Sequence, residues 1–197
     1  MPNETMQAIL DAALPVFAKS GFSAARISDI ADAAGVGKGT VYLYFPSKED
    51  LLIGVLEAYA DKMLDLMSEL FTEEGSPEQQ IRHFFHAAYR LLATNADLIT
   101  IIEQRPFLTN KKLRGRAEMM FRNMIERLIH KITASMEPIQ AAPFDLEIIA
   151  TAAIGIFTSF PMYRILHPEE PEEALIERVS SEMSRFFCAA FLSEKGC

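Results

Sequence analysis

Apolar residues recur at three- and four-residue steps along nearly the whole chain. No stretch alternates apolar and polar residues long enough to build a sheet, so the pattern predicts an all-α fold. In residues 5–20, Ile9, Leu10, Ala13, Leu14 and Phe17 share one face, and Gly21 follows as a C-terminal cap. Pro15 removes the donor that would reach Asp11, which predicts a bend. Two short helices fit residues 27–34, stopped by Gly35, and 38–44, stopped by Phe45-Pro46. Ser47-Lys48-Glu49-Asp50 is a cap with an acid three residues on, opening a long helix to about Leu70. After a polar break at 72–77, residues 77–93 are amphipathic through Ile81, Phe84, Phe85, Ala88 and Leu92. Further helices fit 97–105, about 110–136, 144–166 and 172–192, the last two joined by the turn 167–171. The expected architecture is about nine helices, in a small N-terminal bundle (1–50) and a larger C-terminal one (51–197).

Residues 148–163 carry no charge, but they contain Gly155 and Pro161 and are shorter than the roughly 20 residues a bilayer crossing needs. A helix apolar on all sides is expected to be buried, in a core or between subunits. With 197 residues, 50% hydrophobic and 23% charged, the chain has ample material for a core. Its two cysteines, Cys188 and Cys197, offer neither a disulfide framework nor a CxxC metal site. Cys188 lies in an apolar run and is expected to be a small buried hydrophobe, with Cys197 exposed at the end. The first residues show no basic region followed by an apolar run, so no signal peptide is legible and a cytoplasmic location is expected. The net charge of −8 argues, at first sight, against nucleic acid.

The local pattern at 26–48 argues otherwise. Two short helices joined by about three residues around a glycine are the sequence form of a helix-turn-helix. Ala31 permits close approach where the helices cross, and Gly35 supplies the positive φ that ends the first. Ile27, Ile30 and Val41 are placed to face a core with Phe17 and Leu51. Residues 33–48 hold two lysines and no carboxylate. Gly37 and Gly39 bare a helix N-terminus whose N–H groups can meet phosphate oxygens. Thr40, Tyr42 and Tyr44 add hydroxyls for the same purpose, while a few side chains remain to read base edges.

Gly21-Phe22, Ile30-Ala31, Ala34-Gly35-Val36, Gly39-Thr40-Val41-Tyr42, Tyr44-Phe45 and Ser47-Lys48, followed by Leu51-Leu52, resemble the DNA-binding domain of TetR-family transcriptional regulators. The resemblance covers about the first 55 residues; beyond them only the helical architecture is similar. It implies a homodimer that binds a near-palindromic double-stranded operator and releases it when a small molecule occupies the C-terminal domain. It also implies a base-reading role for Lys38, with Gly37 and Gly39 beside it, and backbone contacts from Thr40, Tyr42, Tyr44 and Lys48. Arg26 and Ser28, at the start of the preceding helix, are expected near phosphate. Two positions depart from the family pattern. Arg26 stands where a small hydroxyl is common, and Leu43 where a polar or aromatic residue is, so a base contact at Leu43 would be apolar, as to a thymine methyl.

Aromatic and methionine residues are dense in the C-terminal part. Phe84, Tyr89, Glu103, Phe107, Met120, Phe121, Met124, Phe157 and Phe160 are the candidates for lining an effector cavity, with core packing the alternative for each. Arg90 and Arg105, like Glu103, can select ligand charge. Ile154, Phe157, Val179, Met183, Phe186, Phe187 and Phe191 are candidates for a four-helix dimer interface. A two-fold dimer places its recognition helices about 34–36 Å apart or a multiple of that. His83 and His86 are three apart, but no third ligand accompanies them, so no metal is expected. No cofactor motif, catalytic triad or paired carboxylates are legible, and an enzyme is not expected. The alternative to a regulator is a helical small-molecule carrier without DNA affinity. Residues 1–50 hold four bases and six acids, and 51–197 hold 15 and 21. An acidic body with an acid-free helix predicts tight binding at a shaped site, weak binding elsewhere and few lysine–phosphate pairs.

Overall fold

The computed structural model describes residues 4–70, 76–104, 106–135, 147–148, 151–152, 155–156 and 159–191. Among them every element is helical: α1 Glu4–Ala24, α2 Ile27–Ala33, α3 Lys38–Tyr44, α4 Lys48–Leu70, α5 Pro77–Ala93, α6 Ala96–Gln104, α7 Pro106–Thr109, α8 Lys111–Ser135, α9 Phe160–Leu166 and α10 Glu172–Phe191. Residues 147–148, 151–152 and 155–156 are also helical. No helix among the described residues is long and apolar enough to cross a membrane.

The chain divides into two compact units. One comprises residues 1–61 with 96–124, the other 62–95 with 125–197. In the first, Ile9, Ala13 and Phe17 of α1 meet Ile30, Val41, Leu51 and Leu52 in a core from which solvent is excluded. Phe17 and Phe22 add a ring pair at 5.9 Å. α1 runs through Pro15 with helical backbone and leaves it only at Gly21, whose φ of 73° requires glycine. Pro15 is exposed, so the carbonyl orphaned four residues earlier is on the water side, where its loss of a donor is tolerated. α6 lies along α1, and Gln104 Nε2 donates to the Ala18 carbonyl at 3.0 Å.

The second unit is organised by α5 packed against α10. Ser76 starts α5 with a full capping box: its hydroxyl accepts from Gln79 N at 3.3 Å, and Gln79 Oε1 accepts from Ser76 N at 2.9 Å. Phe85 meets Phe187 at 5.2 Å between ring centroids, and Tyr89 stacks on Phe160 at 4.9 Å. Outside this apolar seam a polar ladder closes the same pair of helices. Arg82, His86 and Arg90, one per turn of α5, face Glu177 and Glu173 of α10, with Arg82–Glu177 at 2.9 Å, His86–Glu173 at 3.3 Å and Arg90–Glu173 at 3.4 Å. His86 is thus a bridge between helices, and among the described residues no cluster of three potential metal ligands exists.

Within one chain the described part of the uncharged segment is only partly covered. Ile148 and Met162 are exposed, as are Thr151, Ala152 and Gly155, whereas Phe160 is buried. α9 begins at Phe160 with Pro161 in its first turn, where proline's missing donor is harmless. Cys188 is buried, as its apolar surroundings imply.

Candidate nucleic-acid interface

α2 ends in a Schellman motif built on Gly35, whose φ is 68°. Gly35 N donates to the Asp32 carbonyl at 3.2 Å and Val36 N to the Ala31 carbonyl at 3.0 Å. This closure lets the chain re-enter a helix within three residues, and Ala31, 2% exposed, lies at the contact between α2 and α3. Ile27, Ile30, Val41, Phe17 and Leu51 are all buried together as the pattern requires.

α3 buries a single residue, Val41. Its opposite face presents Lys38, Gly39, Tyr42 and Leu43 to solvent, two i,i+4 pairs side by side, with Leu43 80% exposed. Thr40 and Tyr44 flank this face half-buried. Lys38 Nζ stands 5.8 Å from the centre of the Tyr42 ring, a cation–π approach that holds both on that face. Gly37 is the extended N-cap residue, and no side chain caps the helix, which leaves its first N–H groups open. Gly39 has neither a positive φ nor any atom within 4 Å of where a Cβ would sit. Nothing inside the chain demands glycine there.

The remaining candidates are less uniform. Arg26 is the exposed N-cap residue of α2 and makes no side-chain cap, so the usual hydroxyl cap is indeed missing. Ser28 Oγ donates to Asp29 Oδ1 at 3.1 Å. Lys48 is turned inward: Nζ donates to the Ser23 and Ala25 carbonyls, both at 3.0 Å, over the Phe22 ring at 4.9 Å. Two of its three donors therefore tie α4 to the end of α1, leaving one for any phosphate.

Of the cavity candidates, Tyr89 and Phe160 are brought together in the second unit, with Phe84 against Phe85 at 5.5 Å. Burial pushes the Tyr89 hydroxyl's pKa well above its ordinary value, and the nearby Tyr163 adds to the shift. Glu103, Met120, Phe121 and Met124 belong to the first unit, where Met120 is buried and Glu103 exposed. Phe157 and the Phe107 side chain lie outside the described residues, as does Arg105. Sequence reasoning missed an open groove of about 530 Å³ between α4 and α5, lined by Lys62, Asp65, Leu66, Ala87, Arg90, Leu91 and Thr94. Only Arg90 among these is a sequence candidate; the groove depends on how two helices pack, which no local pattern encodes. Of the dimer candidates, Val179 is buried and Phe187 packs on Phe85 within the chain, whereas Phe186 is 57% exposed and Met183 half-buried. Ile154 and the Phe191 side chain lie outside the described residues.

Among the described residues the chain is all helical and presents one short, acid-free helix from a helix-turn-helix, the arrangement with which such motifs enter the major groove. Residues 9–55 match the family model described as bacterial regulatory proteins, tetR family. This segment is similar to the DNA-binding domain of TetR-family transcriptional regulators. The chain is 28% identical over 129 residues to the fatty acid metabolism regulator protein of Bacillus subtilis, a stretch covering 66% of each chain. The chain spans two thirds or less of the length of the curated relatives it matches. Among solved structures, the fatty acid degradation regulator FadR from Bacillus halodurans shares the fold, with TM-score 0.71 and 23% identity over 93% of this chain and 96% of that one. FadR from Bacillus subtilis in complex with stearoyl-CoA aligns with TM-score 0.67 and 22% identity, covering 90% and 96%.

Proposed function

We propose that this protein is a ligand-responsive repressor that binds a near-palindromic operator as a homodimer and leaves it when a small molecule binds its larger helical domain, residues 51–197. The observation that carries the reading is the exposed face of α3, where Lys38, Gly39, Tyr42 and Leu43 stand free of acids at an uncapped helix start. Lys38 and Leu43 read bases, Thr40, Tyr42 and Tyr44 hold phosphates, and Gly37 and Gly39 admit the backbone. Arg26 and Ser28 contact phosphate from α2, and Lys48 does so with its remaining donor. Such a protein works in the cytoplasm, carries no cofactor or metal, and catalyses nothing.

For the effector, the relatives' fatty-acid regulators and the stearoyl-CoA bound to one of them support a long-chain acyl thioester. The groove between α4 and α5 suits such an amphiphile, with Leu66, Ala87 and Leu91 against the chain and Lys62 and Arg90 at its edge. Release follows if the ligand binds more tightly to a conformation with a lower operator affinity, by no more than its differential affinity for the two states. The test is an electrophoretic shift with the DNA upstream of the protein's own gene, at stated salt, titrated with stearoyl-CoA and separately with free stearate. Binding at that DNA and release by the thioester are expected. Failure to shift any duplex would leave a carrier, and release by neither compound would remove the acyl effector.

A further inference from the structure

Ser47 and the first three residues of α4, Lys48 to Asp50, form the elbow that follows α3, and each is pinned. Ser47 Oγ accepts from Asp50 N at 3.1 Å and donates to Asp50 Oδ2 at 2.6 Å. Lys48 holds the carbonyls of Ser23 and Ala25. Glu49 Oε1 accepts from Asn110 Nδ2 at 3.4 Å, and Asn110 in turn caps α8, its Oδ1 accepting from Lys112 N at 2.9 Å and Leu113 N at 3.1 Å. Asp50 Oδ1 takes the guanidinium of Arg116, one turn and a half further along α8. α8 is seated there by Leu113, Ala117 and Met120, all buried.

We infer that Arg116 is a positioning residue for DNA recognition, acting through Asp50 and the Ser47 cap on the pose of α3. The reason is where α3 ends. Val41 is its one fully buried residue, with Thr40 and Tyr44 half-buried, and its C-terminal end passes into Phe45, packed on α4 at Gly54, and then into this elbow. A carboxylate shared between a cap hydroxyl and a guanidinium has both oxygens committed, so the elbow has one geometry while Arg116 is present. Without Arg116, Asp50 keeps Ser47 but loses the strut that ties it to α8, and α3 can rock about Val41. Arg116 is some 66 residues beyond Asp50 in sequence and on no DNA-reading element, yet it belongs to the same compact unit. The inference rests on the reading of α3 as a recognition helix.

The probe is the duplex that the wild-type full chain selects from a randomised pool, and affinity is read by fluorescence anisotropy across a range of salt. If the wild type selects no duplex, the DNA-binding reading fails first and this inference goes with it. Given selection, Arg116→Gln and Asp50→Asn are each expected to weaken binding roughly tenfold, as for one coupled contact, and the double variant no further than either single. The slope of affinity against salt should stay at the wild-type value, because no phosphate contact has been removed. Arg116→Lys, which keeps a cation on Asp50, should recover part of the loss. Unchanged affinity in both single variants overturns the inference, and so do losses that multiply in the double. A slope reduced by about one overturns it too, since Arg116 would then be a phosphate ligand itself. Circular-dichroism melts accompany each variant; if Arg116→Gln does not fold, Asp50→Asn and Arg116→Lys decide by the same criteria.

Discussion

Gly39 sets a conflict between stability and recognition at a single residue. Glycine in a helix is about 1 kcal/mol worse than alanine, and here no backbone angle or neighbouring atom excuses it. Gly39→Ala is therefore expected to raise the melting temperature while weakening operator binding, since the methyl would stand between the helix start and the phosphate backbone. A variant that gained stability and bound as the wild type does would show the glycine to be incidental. Tyr89 makes a second residue-scale prediction. Its hydroxyl is buried, so the neutral form is favoured and its pKa lies above the ordinary 10.0. Below pH 10 the side chain is neutral in folded and unfolded chains alike and the full stability is present. Above it the unfolded tyrosine ionises first, so stability falls as pH rises toward the folded value. Melts of Tyr89→Phe should lose less stability than wild type across that alkaline range; an identical loss would place the alkaline sensitivity elsewhere.

At the scale of elements, the contact between α4 and the end of α3 is governed by one missing side chain. A Cβ on Gly54 would come within 2.7 Å of Phe45 Cε1 and 3.3 Å of Leu10 Cδ2. Alanine there gains helix propensity but forces a buried ring aside, and overpacking of this kind costs about 1–3 kcal/mol. Gly54→Ala should thus be net destabilising by about 1 kcal/mol in thermal melts and should lower DNA affinity as well, because Phe45 is the exit of the recognition helix. A stabilised variant would mean that Phe45 relocates freely. The α5–α10 ladder contributes less than its appearance: its charged partners are mostly about half exposed, and such pairs are worth roughly 0–1 kcal/mol each. The apolar seam of Phe85, Tyr89, Phe160 and Phe187 holds that pair together.

For the whole molecule, the exposed apolar surface separates association from folding. Phe186, 57% exposed on α10, is proposed to meet a second copy, whereas Leu175 on the same helix is fully buried. Phe186→Arg should convert a sedimenting dimer to a monomer with little change in the protomer's own melt, while Leu175→Ala should cost about 2–5 kcal/mol of stability. A dimer that survives Phe186→Arg would move the interface elsewhere.

The helical periodicity, the glycine at 35 and the order of short motifs over 21–52 were sufficient for the all-α fold, the helix-turn-helix and the family likeness of that segment. Each is a local property, set by which side chains one turn of backbone brings to one face. The boundaries of α3 and α5 followed from local stops and caps in the same way. What a side chain does with its far end was not legible. Lys48 reads as a phosphate ligand in one dimension, and in three it also spends two of its three donors as a tether; the uncharged segment reads as buried in a core or between subunits, and within one chain its described part is largely exposed; Val179 and Phe186 share an apolar stripe yet face different surroundings. The ties of Asn110 to Glu49 and Arg116 to Asp50 cross more than sixty residues. Sequence determined the helices because their hydrogen bonds and apolar faces repeat within four residues; only tertiary packing decided the struts behind the recognition helix, because those contacts exist nowhere until distant helices meet.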